Sequence, residues 1–130
     1  MSLPRQGEKT PAFAVGPFGP DDARCYAAAS GDDNPLHVDA ALASAIGFAA
    51  PPVHGMRLMA AVEPALKQWR PDLRLTRLSG TFAEPLLLGE AATLSARVLK
   101  AGERDVLLRV MVQGPRRGPS LVAEAVLEAA

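Results

Sequence analysis

From residue 73 onward the apolar residues of this chain stop recurring at helical spacing and begin to alternate, and that change of period limits the fold more than any other feature. Val106, Leu108, Val110 and Val112 fall on one face of an extended segment, because successive side chains of a strand point to opposite sides. Segments 73–84, 91–100, 105–113 and 120–128 read as strands. The breakers between them are residues 85–90, Ala101-Gly102 and Gly114-Pro115-Arg116-Arg117-Gly118-Pro119.

Upstream the spacing is helical. After a short extended segment at 13–18, interrupted by Gly16 and Pro17, a helix opens at Pro20. Asp21 and Asp22 set negative charge at its positive end and Gly31 stops it. Cys25, with no basic neighbour in sequence, reads as a small packing residue of this helix. Asp39 is a good cap for a short helix at 40–46, closed by Gly47. A longer helix opens at His54-Gly55 and runs to Trp69. It gathers Leu58, Met59, Val62, Ala65, Leu66 and Trp69 on one side and Arg57, Lys67 and Gln68 on the other. Pro64 lacks the N–H that would bond to Ala60, so a kink is expected there. Helices first and antiparallel strands afterwards imply an α+β fold, one sheet wrapped on one long helix.

At 130 residues the chain fits one domain, 1–130, with residues 1–10 read as a flexible lead-in. Fourteen basic residues balance fourteen acidic ones. No overall field then favours nucleic acid or an anionic membrane, and neither is expected as a partner. One cysteine makes no internal disulfide, and no apolar run approaches a membrane span. A soluble, unprocessed, cytoplasmic protein is the expectation. Two histidines and one cysteine argue against a structural zinc site, and no metal or cofactor is expected.

The densest chemistry lies in Ser30-Gly31-Asp32-Asp33-Asn34-Pro35-Leu36-His37-Val38-Asp39, which holds three carboxylates, an amide and one of the two histidines. Gly31, Asn34 and Pro35 turn the chain, so Asp32 and His37 can converge from the two sides of a short loop. A carboxyl and an imidazole held together can exchange a proton near neutral pH. Such residues also build ordinary turns and caps, which is the plain alternative.

The pattern S-G-D-x-N-P-L-H-x-D resembles the hydratase motif of the MaoC-like dehydratases, the (R)-specific enoyl-CoA hydratases of the hot-dog fold. Pro52-Val53-His54-Gly55-Met56 resembles the segment that opens that family's central helix, and Phe82-Ala83-Glu84-Pro85 with Gly89-Glu90 resembles its second half. The resemblance implies a hot-dog domain that reversibly adds water to a trans-2-enoyl thioester of coenzyme A or acyl carrier protein, giving the (R)-3-hydroxyacyl thioester. It implies that Asp32 and His37 jointly hold one water. His37 helps remove a proton as the water attacks C3, and Asp32 delivers one to C2. Asp32 must be protonated at some point in the cycle, a form that burial or nearby Asp33 or Asp39 would favour. The Gly55 N–H, at the start of the long helix, is the candidate for holding the thioester oxygen, although close packing of the helix start would also call for glycine. Asn34 either fixes His37 or the loop through its amide, as a substrate-binding residue, or simply forms the turn. Met59 and Glu63 are candidates for lining the acyl pocket. Glu63 alternatively pairs with Lys67 across one helical turn. His54 reads more readily as a hydrogen-bonding residue at the helix start than as a catalyst. Arg116 and Arg117 are unassigned.

The fold further implies a homodimer that covers an edge strand. The competing readings are an acyl-CoA thioesterase, a non-catalytic acyl-binding protein, and a metal site built from His37, Asp39 and His54.

Overall fold

In the computed structural model, which describes residues 2–130, β1 (Phe13–Val15) leads into three short helical elements and a split helix before the sheet resumes. These are α1 (Pro20–Ser30), a 3₁₀ turn (Pro35–His37), α2 (Ala40–Ala45), α3 (Gly55–Met59) and α4 (Val62–Trp69). Four long strands follow: β2 (Leu73–Phe82), β3 (Ala92–Ala101), β4 (Asp105–Gln113) and β5 (Leu121–Ala129). All pairings are antiparallel, in the order β1-β3-β4-β5-β2. This is the α+β arrangement read from the change of period, with a helix against one face of a five-stranded sheet.

Alternation decides which face is buried. Leu94, Ala96 and Val98 of β3, Val106, Leu108, Val110 and Val112 of β4, and Leu121, Ala123, Ala125 and Leu127 of β5 all point inward. They share one cluster with Val62, Ala65 and Leu66 of α4. Each fully buried Leu or Val contributes about 1.5–3 kcal/mol, which makes this inner face the main source of stabilisation. On the other face of the same strands stand Ser95, Arg97, Arg109 and Glu124, all exposed.

Three expectations change. The long helix is two helices. Pro64 has no N–H to offer Ala60, and around Ala60-Ala61 the chain tightens, with Ala61 N–H donating to Leu58 O at 3.1 Å before α4 begins. Beyond Met1, which lies outside the described residues, the lead-in is held against the sheet. Gly7 N–H donates to Val98 O (2.8 Å), Val98 N–H to Glu8 O (2.9 Å), Thr10 N–H to Ala96 O (2.9 Å) and Ala96 N–H to Thr10 Oγ1 (2.9 Å). Polarity marked 1–10 as mobile, but the hydrogen bonds are made by its backbone, whose pairing does not depend on apolar side chains. The edge of β3 is thus covered along most of its length, while among the described residues β2 pairs only with β5.

Cys25 also departs from its reading: it is exposed, and Ala23 is the one buried residue of α1. Alanine at most positions gives this helix no strong apolar face, so sequence spacing did not show which side turns inward.

Candidate active site

Gly31 ends α1 in the left-handed conformation (φ 79°), its N–H donating to Ala27 O. A ladder of short-range side-chain bonds then shapes the loop. Ser30 Oγ accepts from Asp32 N–H at 3.1 Å. Asn34 Oδ1 accepts from Leu36 N–H at 3.1 Å, which caps the 3₁₀ turn. Asp39 Oδ1 then caps α2 through Leu42 N–H at 3.1 Å. These bonds reverse the chain so that Asp32 and His37 face each other, with His37 Nε2 3.9 Å from Asp32 Oδ2.

Each histidine is fixed by a main-chain carbonyl. His37 Nδ1–H donates to Pro52 O at 2.9 Å. In neutral His37 the lone pair is therefore on Nε2, the atom aimed at the carboxylate. His54 Nε2–H donates to Asp32 O at 3.1 Å, and its ring stacks on that of His37 with centroids 3.9 Å apart and planes at 25°. Tyr26 of α1 packs beside His54, at 4.9 Å between ring centroids. His54 is only 2% exposed, and burial lowers its pKa. The Asp32 carbonyl and carboxylate pull it up and His37 pulls it further down, the net direction being downward.

The segment carrying Pro52 and His54 is itself held by the sheet half. Val53 N–H donates to Leu86 O (2.7 Å) and Leu88 N–H to Pro51 O (2.9 Å). The 85–90 loop is clamped in turn by Arg116, whose Nη1 donates to Glu90 Oε1 (2.6 Å) and Pro85 O (3.0 Å). Glu90 Oε1 also accepts from Leu87 N–H at 2.7 Å. Burial pushes the Glu90 carboxyl up, but the Arg116 hydrogen bond, the Leu87 N–H and the arginine's charge outweigh it and hold it below the ordinary range. Arg116, unassigned in the sequence, is thus a scaffold residue.

The remaining sequence candidates separate. Gly55 opens α3 directly after His54, and among the described residues its N–H has no hydrogen-bond partner. A Cβ there would stand 3.1 Å from the Phe82 ring, so close packing also favours the glycine. Asn34 spends its side-chain oxygen on the turn. Met59 is partly buried against the core, over Gly80 of β2. Glu63 borders a groove of about 330 Å³ with Lys67, Leu75 and Leu127, and Asp32 and His37 are not part of its lining. Among the described residues Glu63 makes no ion pair with Lys67; that lysine reaches Leu73 O instead. The role of Pro52 was invisible in the sequence because a carbonyl acts there, and every residue has one. His54 was flagged by its motif, but its contact with Asp32 spans 22 positions.

Asp32, His37 and His54 bring ligand-type atoms within 4.8 Å of one another, which makes them the residues able to approach a metal. Asp39, expected in that set, caps α2 instead. Zinc requires lone pairs that converge at ~2.0–2.1 Å, whereas one nitrogen of each ring is already spent as a donor to a main-chain carbonyl, His37 Nδ1 to Pro52 O and His54 Nε2 to Asp32 O. The donor set fits proton transfer better than metal binding.

Residues 4–114 match the family described as MaoC like domain. The chain is 38% identical over 104 residues to a 3-hydroxyacyl-thioester dehydratase of Mycobacterium tuberculosis, a match that takes in 80% of this chain and only 36% of that protein. It is 33% identical over 103 residues to an (R)-specific enoyl-CoA hydratase of Aeromonas caviae, covering 75% of this chain and 77% of the relative. Among solved structures, an A. caviae (R)-hydratase involved in PHA biosynthesis superposes with a TM-score of 0.89 at 27% identity, over the full length of both chains.

Proposed function

The chain belongs to the MaoC-like domain family, and from that premise we propose that it hydrates trans-2-enoyl thioesters reversibly to (R)-3-hydroxyacyl thioesters, acting as a hydro-lyase. The observation that carries this is the facing of His37 Nε2 and Asp32 Oδ2 at 3.9 Å, with His37 Nδ1 already committed to Pro52 O. Two acceptors so placed need a donor between them, and one water about 2.8 Å from each satisfies both. Its oxygen attacks C3, and its proton passes to His37 and from His37 to the Asp32 carboxylate. Electrons move through C2 toward the thioester carbonyl, and Asp32 delivers that proton to C2, which restores the starting state. The free N–H of Gly55 is the group proposed to hold the oxygen that gains charge. The carrier is coenzyme A or acyl carrier protein, and this chemistry calls on no redox cofactor or metal.

The proposed partner is a second copy of the chain. β2 presents ten residues of unpaired edge, and its last residue, Phe82, lies against Gly55. Asp32 itself is half exposed. A copy joined at this edge would cover the site and add to the acyl pocket. Among the described residues no helix is long and apolar enough to cross a membrane; a cytoplasmic location is part of the proposal.

Incubation with crotonyl-CoA tests the reading. Loss of enoyl absorbance without release of free thiol is expected. Thiol release would instead identify a thioesterase, and tight binding without turnover a binding protein. Sedimentation at assay concentration tests the dimer, and an active monomer would exclude it.

A further inference from the structure

His54 lies at the centre of the site yet has no part in the proton transfers described above. Its Nε2–H is bonded to the main-chain carbonyl of Asp32, one of its faces lies on the His37 ring, and Tyr26 packs beside it. One side chain thus contacts both members of the proposed dyad. We propose that His54 is a positioning residue for the hydration reaction: its N–H anchors the Asp32 main chain, and its ring face sets the plane of the His37 imidazole.

The requirement for histidine follows from the geometry. The loop 31–34 is exposed and bonded mainly to itself, so local turns give it shape but do not fix its distance from the rest of the protein. The His54 hydrogen bond spans 22 residues and supplies that fixed point. An aliphatic side chain here could not donate. A lysine or arginine would place a permanent charge beside His37, opposing the positive charge that His37 acquires when it takes the water's proton. A neutral imidazole both donates to the carbonyl and offers a flat uncharged face. The titratable or charged groups around it are Asp22 and Tyr26 of α1, Asp32 and His37 of the loop, and Arg57 of α3. Burial lowers the His54 pKa among them, which favours the neutral ring.

The inference rests on the hydratase reading, so its first test is independent of turnover. In histidine ¹⁵N spectra of the intact wild-type protein, His54 is expected as the neutral Nε2–H tautomer down to pH values below about 6.5, where a solvent-exposed imidazole is already largely charged. A proton on Nδ1, or a charged ring in that range, would overturn the proposal whether or not the protein is a hydratase. The second test separates the two contacts. His54→Phe keeps a flat ring and loses the donor, whereas His54→Gln restores an amide N–H at about the same reach. With crotonyl-CoA, His54→Phe is expected to lower kcat about 10- to 100-fold with KM nearly unchanged, the scale expected when reacting groups move by about 1 Å. His54→Gln is expected to recover kcat to within about fivefold of wild type by the same argument. Full activity in His54→Phe, equal losses in both variants, or a loss confined to KM would show that His54 only packs. If neither variant folds, the spectra of the wild-type protein still decide.

Discussion

The two halves of this molecule are stabilised by different means. In the sheet with α4, residues 62–129, order comes from apolar burial: the inward residues of β3, β4 and β5 are almost completely covered. In the layer from α1 to α3, residues 20–59, few side chains are buried, and order comes from caps, turns and carbonyl-bound histidines. The large apolar side chains left exposed are Val38, Leu42, Ile46, Met56 and Phe82. Four of these lie in the layer and the fifth touches its Gly55. The half that carries the proposed chemistry is the half that this chain leaves uncovered. A site that must admit a substrate cannot be sealed by the fold that builds it, whereas a core that only has to be stable is best closed.

That division can be broken most severely at the dyad. Asp32→Asn and His37→Ala are each expected to lower the hydration rate about 10²- to 10⁴-fold; Asp32→Asn should leave the thermal midpoint nearly unchanged, and His37→Ala, which loses the bond to Pro52 O, should cost only about 0.5–1.5 kcal/mol. Enoyl-CoA kinetics beside thermal melts check this. Near-normal rates in folded variants would detach the chemistry from this loop.

The converse change is Leu108→Ala, which removes a fully buried side chain from the centre of the sheet. A loss of about 2–5 kcal/mol is expected from denaturant titration, with kcat close to wild type at temperatures where the variant is folded. A specific loss of kcat in the folded variant would mean that core and site are not separable.

The smallest effect is expected where the halves meet. Arg116→Ala removes the clamp on the 85–90 loop and should cost about 1–3 kcal/mol, the range for hydrogen bonds to charged groups, with a loss of rate below about tenfold. It should also alter the pH profile of stability. The carboxyl of Glu90 titrates lower when folded than when unfolded, so its contribution is present at neutral pH and is lost as pH falls through the folded value. In Arg116→Ala that acid-side decline should be shallower. An unchanged decline would assign it to other carboxylates.

The four long strands could be read within one or two residues because burial on one face imposes a period of two along the sequence. The α1 boundaries were legible for a related reason, as Pro20 and Gly31 are local signals. The same approach failed for Cys25, where a run of alanines leaves no moment to read, and for residues 7–10, whose order comes from backbone bonds to β3. In the site, Asp32 and His37 were visible because five positions and a turn bring them together.

By itself, then, the sequence determined the fold class, the strand limits, the caps and the pairing of one carboxylate with one imidazole, all of which depend on neighbours within a few positions. Tertiary structure alone decided which nitrogen of His37 is free, by placing the Pro52 carbonyl 15 residues away against the other. It also buried His54 behind the dyad, made Arg116 a scaffold residue through Glu90, and moved Glu63 to a groove apart from the dyad. These outcomes depend on contacts between segments distant in sequence, where neither periodicity nor local turn chemistry carries information.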